Sequence, residues 1–170
     1  NTVTGFGKEA GAPLAAHPMV AKVAFTGGEA GGLSVYEAAA AGLKTVTLEL
    51  GGKSANIVFG DANIDSAING AVSGIFAASG QTCIAGSRLL IQRKVHDQVV
   101  EGLTKLARTA RMGDPSSTDT QVGPITTLAQ REKVLSYIGI AKGEGAQCVL
   151  GGGKPEAAEL AQGWFVEPTI

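Results

Sequence analysis

The sequence predicts an α/β protein, on three observations. Short β-rich runs alternate with helical periodicities along the whole chain. Glycine-rich turns stand where strands give way to helices, as in Gly27-Gly28-Glu29-Ala30-Gly31-Gly32. With 170 residues and 44% hydrophobic content, the chain is long enough to bury the core such a fold needs.

Taken in order, Asn1 to Thr4 reads as a strand, Lys8 to Ala16 as a short helix, Ala21 to Thr26 as a strand and Leu33 to Ala41 as a helix. Lys44 to Leu50 and Ala55 to Phe59 are β-type runs. Ile64, Ala67, Ile68, Ala71, Val72, Ile75 and Phe76 fall on one helical stripe, with Asn63 as N-cap. Leu89 to Gln92 is β-like, and Val95 to Ala110 is a helix ended by Gly113-Asp114-Pro115. Thr127 caps a further helix that stops at Gly143. Cys148 to Leu150 and Phe165 to Ile170 read as strands around a Gly151 to Pro155 loop. The chain opens on Asn1 in an extended run and closes on a strand-like run, which reads as a piece of a longer protein.

Lys+Arg 14 against Asp+Glu 15 leaves a net charge of −1, without the basic footprint of a nucleic-acid binder. The apolar runs are too short to span a bilayer. Two cysteines and two histidines give neither a disulfide framework nor a zinc pattern, so no metal is expected and a reducing, cytoplasmic setting is the default.

Two short motifs carry chemistry. Cys83 sits in Gly80-Gln81-Thr82-Cys83-Ile84-Ala85-Gly86, where small neighbours let a ligand approach the sulfur. Glu49 ends a β-type run and enters Gly51-Gly52-Lys53-Ser54. Together they offer a thiol nucleophile and a carboxylate base, the pair that acyl-enzyme chemistry uses. Cys148, in a strand-like run, reads as packing. His17 and His96 read as surface or core residues. Gly5-Phe6-Gly7-Lys8-Glu9-Ala10 has the form of a dinucleotide fingerprint. Gly51-Gly52-Lys53-Ser54 is not a P-loop, because Thr47 stands where the first glycine belongs and a β-type run follows.

These motifs, with Val23 to Gly28, Gly113-Asp114-Pro115, Gly123-Pro124 and Glu167-Pro168-Thr169, closely resemble the aldehyde dehydrogenase superfamily. The resemblance implies part of that fold, with residues 1–48 as the later half of a Rossmann-like domain binding the nicotinamide cofactor, NAD or NADP. Residues 49–170 would be an incomplete α/β catalytic domain. It implies Cys83 as nucleophile and Glu49 as base, and Gly27, Gly28 and Gly32 beside the pyrophosphate. Gly7 would border the adenine pocket, Leu50 and Gly51 would meet the nicotinamide amide, and Gln130 and Lys133 would approach the cofactor riboses. Thr82 and Ile84 would line the substrate tunnel. The implied reaction is oxidation of a small-molecule aldehyde to its acid in a homo-oligomer, with the isolated piece inactive. Acyl transfer to coenzyme A and a non-catalytic module keeping the scaffold are the alternatives; Glu49, a base for water, favours hydrolysis.

Overall fold

A computed structural model describes all residues, 1–170, and divides into two compact units, Asn1–Gly52 and Lys53–Ile170. Each is built around a pair of parallel strands joined by a crossover helix.

In the first unit, a π-helical turn at Gly7–Gly11 runs into α1 (Ala12–Ala16), which has Pro13 in its first turn, where proline's missing N–H costs nothing. β1 (Lys22–Gly27), α2 (Glu29–Ala40) and β2 (Thr45–Leu50) then form a βαβ unit, registered Val23 to Val46, Phe25 to Leu48 and Thr26 to Glu49. The period-2 burial of both strands sorts their faces. Phe25 and Leu50 turn toward α2, whereas Lys22, Thr26, Thr45, Thr47 and Glu49 are exposed. The Lys44 ammonium donates to the carbonyls of Ala15 and His17, both at 2.7 Å, a cation at the C-terminal end of α1.

The second unit repeats the plan with β3 (Ala55–Val58), α3 (Ile64–Phe76) and β4 (Arg88–Ile91), registered Asn56 to Leu89 and Val58 to Ile91. Asn63 accepts from the Ser66 N–H and so fixes the start of α3. α4 (His96–Ala107) packs on α3, and Val58, Ile68 and Val99 form the core, flanked by Ile64, Leu89, Ile91 and Leu106. The other face of the strand pair leaves Ile57, Phe59 and Leu90 exposed. Thr127 accepts from the Gln130 N–H and opens α5 (Leu128–Gly143). Val134, Leu135 and Ile138 are half-buried, and α5 contributes no buried residue.

Three expectations change. Asn1 to Thr4 is exposed and forms no strand, because no neighbouring strand supplies its hydrogen bonds. α2 begins at Glu29, four residues before Leu33, since Gly31 and Gly32 lie inside the helix instead of in the turn. Cys148 to Leu150 and Phe165 to Ile170 exchange bonds between Leu150 and Ile170 without forming a ladder. No helix is long and apolar enough to cross a membrane.

Candidate active site

Cys83 owes its position to how α3 ends. Ala77 leaves the helix in an extended conformation, and Ala78, Ser79 and Gly80 follow with φ of 49°, 54° and 74°. Left-handed backbone at two non-glycine residues is strained, by about 1 kcal/mol or more each. It reverses the chain into the segment that bears the cysteine. There, the Ala85 N–H donates to the Thr82 carbonyl at 3.1 Å, closing a turn with Cys83 and Ile84 at its apex.

The turn is fixed from behind. Ala85 is buried, and the Gly86 N–H donates to the Gly74 carbonyl of α3 at 3.3 Å. A Cβ on Gly86 would lie 3.0 Å from that of Asn56, so glycine lets the loop run close over β3. Cys83 is exposed as a free thiol, and its N–H donates to no group in the chain. An exposed sulfur beside an unspent N–H can attack a carbonyl and receive the resulting oxyanion. Thr82 and Ile84 flank it, both exposed. Cys148 differs: it is half-buried, and its Sγ donates to the Leu150 carbonyl at 3.2 Å.

Glu49 lies on the exposed face of β2, one residue before the strand's end, with Thr26 beside it in register on β1. It stands at the carboxyl end of a parallel strand, where open α/β sheets present functional groups. Leu50 points the other way, its side chain against Gly32 of α2, and Gly51 is open to solvent.

The start of α2 has what an anion needs. Gly28 is the N-cap residue, no side chain caps the helix, and a Cβ on Gly28 would meet nothing within 4 Å. The N–H groups of the first turn are thus presented beside an open backbone, which fits a pyrophosphate. Gly27 precedes this start as the last residue of β1. Gly32 lies inside α2: it is buried, its N–H donates to the Gly28 carbonyl at 2.9 Å, and a Cβ there would lie 2.7 Å from Leu50 Cδ2. The missing side chain there lets α2 pack close against β2. Gly7 begins the exposed π-helical turn. Gln130 and Lys133 lie in the first two turns of α5, both exposed. No group of three or more His, Cys, Asp or Glu is placed to hold a metal.

Sequence reasoning missed the ties that hold the cysteine loop. Gln81 Oε1 accepts from the Thr126 N–H at 3.0 Å and its hydroxyl at 2.7 Å, and Ser79 Oγ donates to the Gly123 carbonyl at 3.0 Å. Such distant pairs leave no periodic signal; only the position of Gln81 within the cysteine motif hinted at them.

All of residues 1–170 match the model of the aldehyde dehydrogenase family. The chain is 46% identical, over its whole length, to an aminoaldehyde dehydrogenase named as chloroplastic from Arabidopsis thaliana, covering 34% of that protein. It is likewise 46% identical to a betaine aldehyde dehydrogenase from Brucella anthropi, covering 35% of it. Among solved structures, PnpE from Pseudomonas sp. WBC-3 matches with a TM-score of 0.95 at 49% identity, over 97% of this chain and 34% of that one. A betaine aldehyde dehydrogenase from Staphylococcus aureus in complex with NAD+ matches at 0.94 and 38%, over 97% and 33%. The chain thus spans about a third of the length of these relatives.

Proposed function

From the premise that this chain belongs to the aldehyde dehydrogenase family, we propose that it serves, within a longer polypeptide, to oxidise an aldehyde to a carboxylic acid with NAD or NADP. Residues 1–48 act as part of the cofactor domain and residues 49–170 as part of the catalytic domain. The observation that carries this reading is Cys83 itself: an exposed thiol at the apex of a turn held from behind, with its own N–H unspent.

In this mechanism the Cys83 thiolate adds to the aldehyde carbon, and the Cys83 N–H stabilises the oxyanion of the thiohemiacetal. In the first unit the uncapped start of α2 at Gly28, with Gly7 and the Leu50–Gly51 turn, would hold the cofactor; in the second, the exposed Gln130 and Lys133 of α5 would approach its riboses. When bound, the nicotinamide is the acceptor for the hydride that leaves that carbon. Glu49 takes a proton from water, which attacks the thioester carbonyl. The carboxylic acid departs and the Cys83 thiol is restored. Two free cysteines suit a reducing compartment such as the cytoplasm, and the exposed apolar face of β3 and β4 suits burial against further chain or another subunit of a homo-oligomer.

Amino- and betaine aldehydes are the first substrates to assay, given what the relatives are named for. In the full-length enzyme, Glu49→Gln should give a first-turnover burst of NADH followed by slow turnover, and Cys83→Ser should give neither. A Glu49→Gln enzyme that lost its burst would place the carboxylate before hydride transfer and overturn its role. Turnover that required coenzyme A would replace hydrolysis with acyl transfer.

A further inference from the structure

The cysteine turn is held at its far end by the Gly86 N–H on the Gly74 carbonyl, and its near end needs a hold of its own. Gly80 precedes it and Gly86 follows it, and its strained approach through Ala78 and Ser79 would relax if nothing opposed relaxation. The opposing element is the segment 122–127. Val122 and Ile125 are each only 7% exposed, and the Ile125 N–H donates to the Trp164 carbonyl at 2.9 Å. Thr127 then caps α5. This firm segment can therefore serve as an anchor for the approach to the cysteine turn.

Two contacts cross from the firm segment to the loop. Ser79 Oγ donates to the Gly123 carbonyl, which steadies the strained residue itself. Gln81 Oε1 accepts both the N–H and the hydroxyl of Thr126, at 3.0 and 2.7 Å. The Thr126 N–H can only donate, so it must face the amide oxygen of Gln81, and this fixes the amide's orientation. Gln81 also donates its own N–H to the Ala78 carbonyl at 3.1 Å, so one residue joins the strained approach, the firm segment and, two positions on, the nucleophile.

We propose that Gln81 is a positioning residue, and that its two-fold acceptance from Thr126 sets the aim of the Cys83 sulfur and N–H toward the aldehyde. The inference rests on the dehydrogenase reading given above. The hydrogen bonds are exposed and add little to global stability. Their effect is on geometry, where a misplacement of about 1 Å costs on the order of a hundredfold in rate.

The test compares Gln81→Ala, Thr126→Val, Thr126→Ser and the Gln81→Ala/Thr126→Val pair in the full-length enzyme. The first-turnover burst of NADH should slow by about 10- to 100-fold in Gln81→Ala and Thr126→Val. The Michaelis constant for NAD should stay within about twofold, because the pair bears on the thiol. The paired variant should be no slower than the slower single one, and Thr126→Ser, which keeps both donors, should stay within about threefold of the parent. Bursts at the parent rate, losses that multiply in the pair, or losses that track a fall in melting temperature would overturn the proposal. If the parent itself reduces no NAD with an aldehyde, the dehydrogenase reading fails separately. The positioning by Gln81 is then judged by iodoacetamide labelling: Gln81→Ala must change the Cys83 rate at least about fivefold with Cys148 unchanged, and equal rates would refute it.

Discussion

The two βαβ units of this chain share a plan and differ in how the helix returns to the second strand. In the first, α2 ends on a tight turn in which the Leu43 N–H donates to the Ala40 carbonyl and the Lys44 N–H to that of Ala39. This closes the helix within a few residues and delivers the chain at once to β2. In the second, α3 reaches β4 only after residues 77–87, a loop with three consecutive positive φ values and Cys83 at its tip. The outer faces differ as well, with threonines, Lys22 and Glu49 on β1 and β2 but Ile57 and Leu90 on β3 and β4, and Phe59 exposed just beyond β3. The short return therefore supports a group held on a strand, Glu49, and the long return creates a group held on a loop, Cys83. A strand needs no further support for its side chains, whereas a loop needs contacts such as those of Gln81 and Ser79.

The strongest way to break this comparison is to remove core from one unit alone. Ile68 is buried with Val58 and Val99, so Ile68→Ala should destabilise the second unit by about 3 kcal/mol. Hydrogen exchange should show faster opening at 55–58 and 88–91, with protection at 22–27 and 45–50 unchanged. Equal loss in both would show that the two units unfold as one.

What the sequence made legible follows from where information is local. α3 was readable to both ends because its apolar stripe and Asn63 cap lie in consecutive residues, and Thr127 and Gly143 bounded α5 in the same way. The start of α2 was misread because glycine signals a turn unless packing demands it, and Gly32 is demanded by Leu50, a residue of another element. The outer strands at Asn1 and Phe165 were overcalled because β-type residues show a preference for a sheet without showing a partner for it. Cys83 and Glu49 stood out because their short flanking motifs are local. The αL backbone at Ala78 and Ser79, and the ties that oppose it, were hidden because alanine and serine carry no such signal.

A smaller effect sharpens the contrast at the short return. Leu43 is 96% exposed with a φ of 50°, at the position of this helix ending where glycine is usual. Its side chain gains nothing from burial and crowds the left-handed backbone. Leu43→Gly should therefore stabilise the first unit by about 1 kcal/mol, read as a rise in urea midpoint and greater protection in α2. A fall would mean that the leucine stiffens the unfolded chain by more than it strains the folded one.

The smallest effect is expected at the long return, and its size tests what the strain there is opposed by. Ala78 has a φ of 49° and adjoins an open groove of about 430 Å³ lined also by Pro115, Thr120 and Gly123, so a larger side chain has room. Asparagine tolerates left-handed backbone better than alanine does, and Ala78→Asn should add about 0.5 kcal/mol to the second unit. The gain should be less than at Leu43, because asparagine recovers only part of the cost that glycine removes. The urea midpoint measures it, and the labelling rate of Cys83 should stay within about twofold, since the Ser79 and Gln81 contacts keep their partners. A stabilisation accompanied by a large change in that rate would show that the loop had settled elsewhere, and that the alanine's strain, not the ties to Gly123 and Thr126, governs where the thiol points.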